Sequence, residues 1–132
     1  MIDRVHIVSN VTAALKVLYP SNRFSRIDVH WLSDDELLEV NRTHLDHDYY
    51  TDIITFDNNV GRTVHGEIYI STDRVIENSQ EYGVSVLNEL ARVVVHGVLH
   101  LCGYKDKSEE DVLKMRGRED YWIEKLNLLN NN

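Results

Sequence analysis

His96-Gly97-Val98-Leu99-His100-Leu101-Cys102-Gly103-Tyr104-Lys105-Asp106 is the stretch that decides how this chain is built. The apolar run upstream of it, with Ser85 as a cap and Gly103 as a stop, predicts a helix over 86–102. His96 and His100 are then one turn apart, about 40° from each other at the helical twist. Two imidazoles at this spacing can grip one metal ion. Gly103 lets the chain turn back, so that Asp106 can supply an oxygen from beyond the helix end. Cys102 falls about 200° round the helix from His100 and is expected in the core.

Metzincin peptidases share this skeleton: histidines at i and i+4, a glycine at i+7 and a ligand at i+10. Their general-base glutamate follows the first histidine, where this chain has Gly97. The spacing therefore supports a metal site held by His96, His100 and Asp106, and argues against a metalloprotease. Two histidines and a carboxylate suit zinc, and also other divalent ions.

Working outward, Ser108-Glu109-Glu110-Asp111 opens a last helix to about Leu128. Upstream, Ser71 or Thr72 caps a helix to about Tyr82, with Gly83 after it. Gly66–Ile70 and Asp52–Phe56 are short β-branched apolar runs and predict strands joined by a turn near Asn58–Gly61. Ser33-Asp34-Asp35-Glu36 is a capping box opening a helix to about Arg42. Arg26–Leu32 alternates Ile27, Val29 and Trp31 against Asp28 and His30, a strand pattern. Ser9–Leu18, with Pro20 beyond, predicts an early helix. The expected fold is α+β: a small mixed sheet packed with about five helices, as one domain over 1–132.

Of the chain's 132 residues, 42% are hydrophobic and 27% are charged. Those proportions are within the globular range. The single cysteine excludes an internal disulfide and fits a reducing compartment. The first residues lack the basic and apolar regions of a signal peptide, and no apolar run approaches the roughly 20 residues that span a bilayer. A cytoplasmic protein with no membrane partner is expected. The net charge of −8 argues against a general nucleic-acid binder, and no DNA partner is expected.

Residues 95–106 closely resemble the signature of the YbeY endoribonuclease family, His-Gly-x-Leu-His-Leu-x-Gly-Tyr-Asp-His. Asn41 with Thr51-Asp52-Ile53-Ile54-Thr55-Phe56 is similar to the family's Leu-Asn…Thr-Asp-Val-Leu-Ser-Phe block, and Gly66-Glu67-Ile68-Tyr69-Ile70-Ser71 to its Gly-Asp-Ile-x-Ile-Ser strand. The resemblance runs over about residues 25–128. It implies a zincin-like metal-dependent hydrolase with one Zn2+, cutting single-stranded rRNA in small-subunit 3′ maturation and ribosome quality control. The small ribosomal subunit is the implied partner.

Two positions depart from the family pattern. Its third histidine falls on Asp106, and a carboxylate oxygen is an acceptable zinc ligand at roughly 2.0–2.2 Å. Its groove arginine falls on Leu45, which cannot contact phosphate. Arg42, His44, His47 and Asp52 are the candidate groove residues, with Lys105 as a further cation. Two other readings compete: a metal-dependent hydrolase of another substrate, and a non-catalytic ribosome-assembly factor with a structural metal.

The remaining histidines and aromatics have blander expectations. His44 and His47 fall in a polar loop over Thr43–Tyr50, and His65 is expected at the surface. His6 and His30 have no partner identifiable from sequence. Trp31, Phe56 and Trp122 are expected in the core rather than as base-stacking platforms. Lys105, Lys107, Lys114, Arg116 and Arg118 alternate with Glu109, Glu110, Asp111, Glu119 and Asp120, which predicts a solvated helix face.

Overall fold

The computed structural model describes residues 23–61, 63–105 and 107–130. Strands β1 (Arg23–Leu32), β2 (Ile53–Asp57) and β3 (Thr63–Ser71) form one mixed sheet in the order β1-β3-β2. Among the described residues there are four helices: α1 (Asp34–Leu45), α2 (Thr72–Tyr82), α3 (Val86–Leu101) and α4 (Glu109–Asn130). The early helix expected over Ser9–Leu18 lies outside the described residues.

A short turn joins β2 to β3, so they pair antiparallel, with Ile54 opposite Tyr69. The β1–β3 connection carries α1 and β2, long enough for a parallel pairing, with Val29 opposite Ile68. Burial along β3 alternates as the pleat requires. Val64, Ile68 and Ile70 are buried, whereas His65, Glu67 and Tyr69 are half-buried on the other face. The main core lies between the first face and α3, and Met115 and Trp122 of α4 join it. On the second face α1 contacts β1 and β3 and buries Leu37 and Leu38.

The predicted helix starts are all present among the described residues. Ser33 and Glu36 cap each other reciprocally. Glu36 N donates to Ser33 Oγ at 3.2 Å, and Ser33 N donates to Glu36 Oε1 at 2.9 Å. Ser71 Oγ accepts from Arg74 N at 3.1 Å. Ser85 and Ser108 accept in the same way from Asn88 N and Asp111 N, both at 3.0 Å. Gly83 and Gly103 take left-handed conformations beyond the ends of α2 and α3, with φ 66° and φ 103°. Glycine adopts that region without steric penalty and so ends helices readily.

Two expectations change. Helix α1 runs to Leu45 rather than Arg42, so His44 stands on its last turn and not in a loop. The helix extends because Asp46 adopts a left-handed φ of 56° and donates its N–H to Asn41 O. That is the backbone geometry of a helix C-terminal cap. His30 also has partners. Its ring stacks on Tyr69 at 4.3 Å and its Nε2 lies 3.3 Å from Glu67 Oε1. Both contacts span the β1–β3 pairing, which no local pattern could reveal.

Two glycines set how closely α3 sits on the sheet. A Cβ on Gly97 would lie 2.8 Å from Ile53 Cδ1 and 3.1 Å from Ile68 Cδ1. A Cβ on Gly66 would lie 2.6 Å from the Phe56 carbonyl oxygen and 2.8 Å from Leu101 Cδ2. At Gly66 the obstacle is the backbone of a paired strand; at Gly97 it is the flexible ends of side chains. Gly66→Ala is therefore expected to lose about 1–3 kcal/mol to overpacking. Gly97→Ala should lose less, since removing a helical glycine returns about 1 kcal/mol. Urea unfolding of both variants checks this, and a larger loss at Gly97 would contradict it.

Candidate metal centre

Helix α3 is buried on most of its circumference, from Leu90 to Leu101. Its Gly97 side faces the sheet. Counting at about 100° per residue, His96 and His100 lie about 100° and about 60° round from Gly97, and Glu89 falls on the same stripe. That stripe escapes the closest sheet contact. Tilted 76° to each other, the two imidazoles have ring centroids 4.6 Å apart, and both residues are half-buried. The chain reverses directly after them: Cys102, Gly103 and Tyr104 donate backbone N–H groups to the last carbonyls of α3. The reversal expected at Gly103 is therefore present.

Beyond the turn, Asp106 lies outside the described residues. Among the described residues no three His, Cys, Asp or Glu side chains converge as a metal cage. The structure accordingly brings together the two-histidine part of the predicted set. Cys102 is no donor to it. The thiol packs against the core, and burial raises its pKa to about 11.

His96 opens onto a cavity of about 570 Å³ between β2 and helices α2, α3 and α4. Asp52, Glu89, Arg92, Arg116 and Glu119 supply its charged lining. Burial pushes the Asp52 carboxyl above the ordinary aspartate value, with the charge of His96 opposing. Glu89 is 4% exposed. Burial raises it too; Arg92 counters the rise, and Asp52 and Glu119 add to it. Glu119 accepts from Arg92 Nη1 at 3.0 Å and from His96 Nδ1 at 2.7 Å. Arg92 also donates to Asp120 at 2.6 Å.

The sequence assigned no site role to Glu89, Arg92 or Glu119. Glu119 was expected on a solvated helix face and is instead buried, because α4 docks that side against α3. A signal for it existed. Met115, Glu119, Trp122 and Ile123 follow helical spacing, and all four are buried, so an acid occupies an apolar stripe.

The other groove candidates are not among the residues lining that cavity. Arg42 is bound to Asp48 and has Glu39 beside it, outside the lining of the cavity. His47 is exposed, its ring stacked on Tyr49. His44 meets Phe56 edge-on at 5.9 Å. Leu45 is exposed at the end of α1. Of the four candidates Asp52 alone lines the cavity beside His96. Buried Asn41 donates to the Tyr49 carbonyl at 2.9 Å and so anchors the loop that leads into Asp52.

The sequence profile of the family described as Endoribonuclease YbeY matches residues 3–127. The chain belongs to this family. An Endoribonuclease YbeY of Flavobacterium psychrophilum is 47% identical over 112 residues, which make up 85% of this chain and 78% of that one. The Endoribonuclease YbeY of Cytophaga hutchinsonii is 47% identical over 109 residues, 80% of this chain and 76% of its own. A Thermotoga maritima protein solved in solution superposes with a TM-score of 0.63 at 29% identity, over 89% of this chain and 79% of that one. The α+β fold expected from sequence is thus the fold of a YbeY protein. The segment containing Asn41, Asp52, His96 and His100 falls within the matched region.

Glu89 yields a pH-dependent expectation. A carboxyl whose folded value is raised contributes stability below its unfolded value, near 4.5, and loses it as pH rises. Glu89→Gln removes that loss. The variant's stability relative to wild type should grow between about pH 4 and about pH 8. Urea midpoints at the two pH values measure it, and a relative stability that shrinks with pH would be the contrary result.

Proposed function

We propose that this YbeY-family protein cuts single-stranded RNA by metal-assisted hydrolysis of a phosphodiester. The observation that carries the reading is the side-by-side placement of His96 and His100 on α3, with His96 on a cavity that carries five charged side chains, within a family named for endoribonuclease activity. The donor set fits a divalent ion of borderline softness. Two imidazoles share one helix face, and His96 turns Nδ1 to Glu119, so that Nε2 is the ring nitrogen placed to face an ion.

His96 and His100 would hold the metal, with Asp106 as third ligand, and zinc is the ion we favour. Such an ion, when bound, supplies Lewis-acid polarisation and an acidified water. The rigid helix fixes both imidazoles, and burial of α3 against the sheet keeps them from moving apart. Asp52, which lines the same cavity as His96, is placed to exchange a proton with the reacting groups. Gly97 occupies the position of a peptidase base, so the glutamate that a metzincin peptidase uses there is missing. That favours a phosphodiester over a peptide as substrate.

We extend the proposal to small-subunit rRNA in a cytoplasmic setting, with 3′ maturation and ribosome quality control as the process. Family membership and a single unpaired cysteine, as a reducing compartment allows, support this extension.

Wild-type protein loaded with zinc is expected to cleave a single-stranded RNA oligonucleotide and to spare the matching duplex. His96→Ala and His100→Ala should each abolish both metal retention and cleavage. Absence of cleavage by fully zinc-loaded wild type would reject the nuclease reading. Asp106→Ala should lower metal content and Asp106→His should retain it, as measured by elemental analysis. Equal content in Asp106→Ala and wild type would remove Asp106 from the ligand set.

A further inference from the structure

We infer that Glu119 is a positioning residue: it holds the His96 ring so that Nε2 faces the metal, and Arg92 holds Glu119 in turn. The inference rests on His96 being a metal ligand, and it assigns a role to a residue well beyond the end of the sequence motif.

Glu119 is 6% exposed and sits among Met115, Trp122 and Ile123 on the buried stripe of α4. Packing does not explain a carboxylate there. An apolar residue of similar volume at a buried ion-pair site is often as stabilising or more so. Each carboxylate oxygen has its own partner. Oε1 accepts from Arg92 Nη1 at 3.0 Å and Oε2 accepts from His96 Nδ1 at 2.7 Å. With both oxygens engaged the carboxyl plane is fixed, and with it the direction of the His96 N–H. Arg92 supplies the counter-charge a buried carboxylate requires. It is itself steadied by Asp120 at 2.6 Å.

The consequence for His96 is geometric. Its proton belongs on Nδ1, its lone pair on Nε2, and its ring is tethered to α4 beside the His100 ring. Metal-binding histidines characteristically donate their second ring nitrogen to a carboxylate in this way, and loss of that carboxylate costs about 10–100-fold in metal affinity. A mere latch between α3 and α4 would use the same bonds, so the test must read the ring and the metal separately from stability.

Glu119→Leu keeps the volume, suits the apolar stripe and leaves Arg92 its bond to Asp120. Competition with a chromogenic chelator should show zinc bound about 10–100-fold more weakly by Glu119→Leu than by wild type. Glu119→Gln offers one acceptor oxygen to two donors, His96 Nδ1 and Arg92 Nη1, and should recover only part of that loss. Thermal unfolding of the metal-free proteins reports any latch contribution on its own. Zinc binding by folded Glu119→Leu with wild-type affinity would overturn the inference and leave the metal site standing. Zinc affinity in wild type no greater than in His96→Ala would instead sink the metal site itself, and the inference with it. Nitrogen-15 NMR of the wild-type imidazoles in mildly alkaline buffer needs no variant. The His96 proton is expected on Nδ1, and finding it on Nε2 would overturn the assignment.

Discussion

The close seating of α3 on the sheet is the constraint from which the rest follows. Gly97 lets the helix approach until Ile53 and Ile68 occupy the space a Cβ would need, and Gly66 does the same from the strand side against Leu101. A helix so placed buries residues on most of its surface, and Val94, Val95, Val98 and Leu99 have essentially no exposure. Polar groups are left the flank of the helix. His96 and His100 stand there, with Glu89 two turns before His96. Rigid packing on one side therefore produces a rigidly presented pair of imidazoles on another.

Placing polar groups beside a core carries an electrostatic cost, and the surrounding helices meet it with paired charges. Glu119 divides its oxygens between Arg92 and His96. Asp52 and Glu89 are not engaged in that pairing, and burial raises both. The overall charge of −8 thus says little about the cavity itself, where two arginines face three acids and a histidine. Away from the cavity acids act as local anchors. Asp34 ties Arg74 of α2 and the Ser71 hydroxyl to the start of α1. Asp48 holds Arg42 in an exposed pair at the end of α1.

Capping chemistry made the helix starts legible, because a serine side chain acts on the backbone three residues ahead and needs nothing distant. The strands were legible from β-branched runs, and the histidine pair from helical spacing. Less legible was the region after Arg42. There Asp46 accepts a left-handed backbone that extends α1 through His44, and Asn41 reaches forward to fasten Tyr49. Nothing in the composition of 43–50 distinguishes that arrangement from an open polar loop. His30 was opaque for a related reason, since its partners Tyr69 and Glu67 come from a strand far along the chain.

By itself the sequence determined the spacing of His96, His100 and Gly103, the family signature around them, and the alternation of short strands with capped helices. These are local properties, written in residues within a turn or two of one another. Tertiary structure decided which groups stand beside that motif. It brought Glu119 and Arg92 to His96, turned Asp52 into the same cavity and left Arg42 outside it. Such choices depend on how α4 and β2 dock against α3. Docking is set by burial of whole faces rather than by any one residue, so an acid in an apolar stripe was its only trace in the sequence.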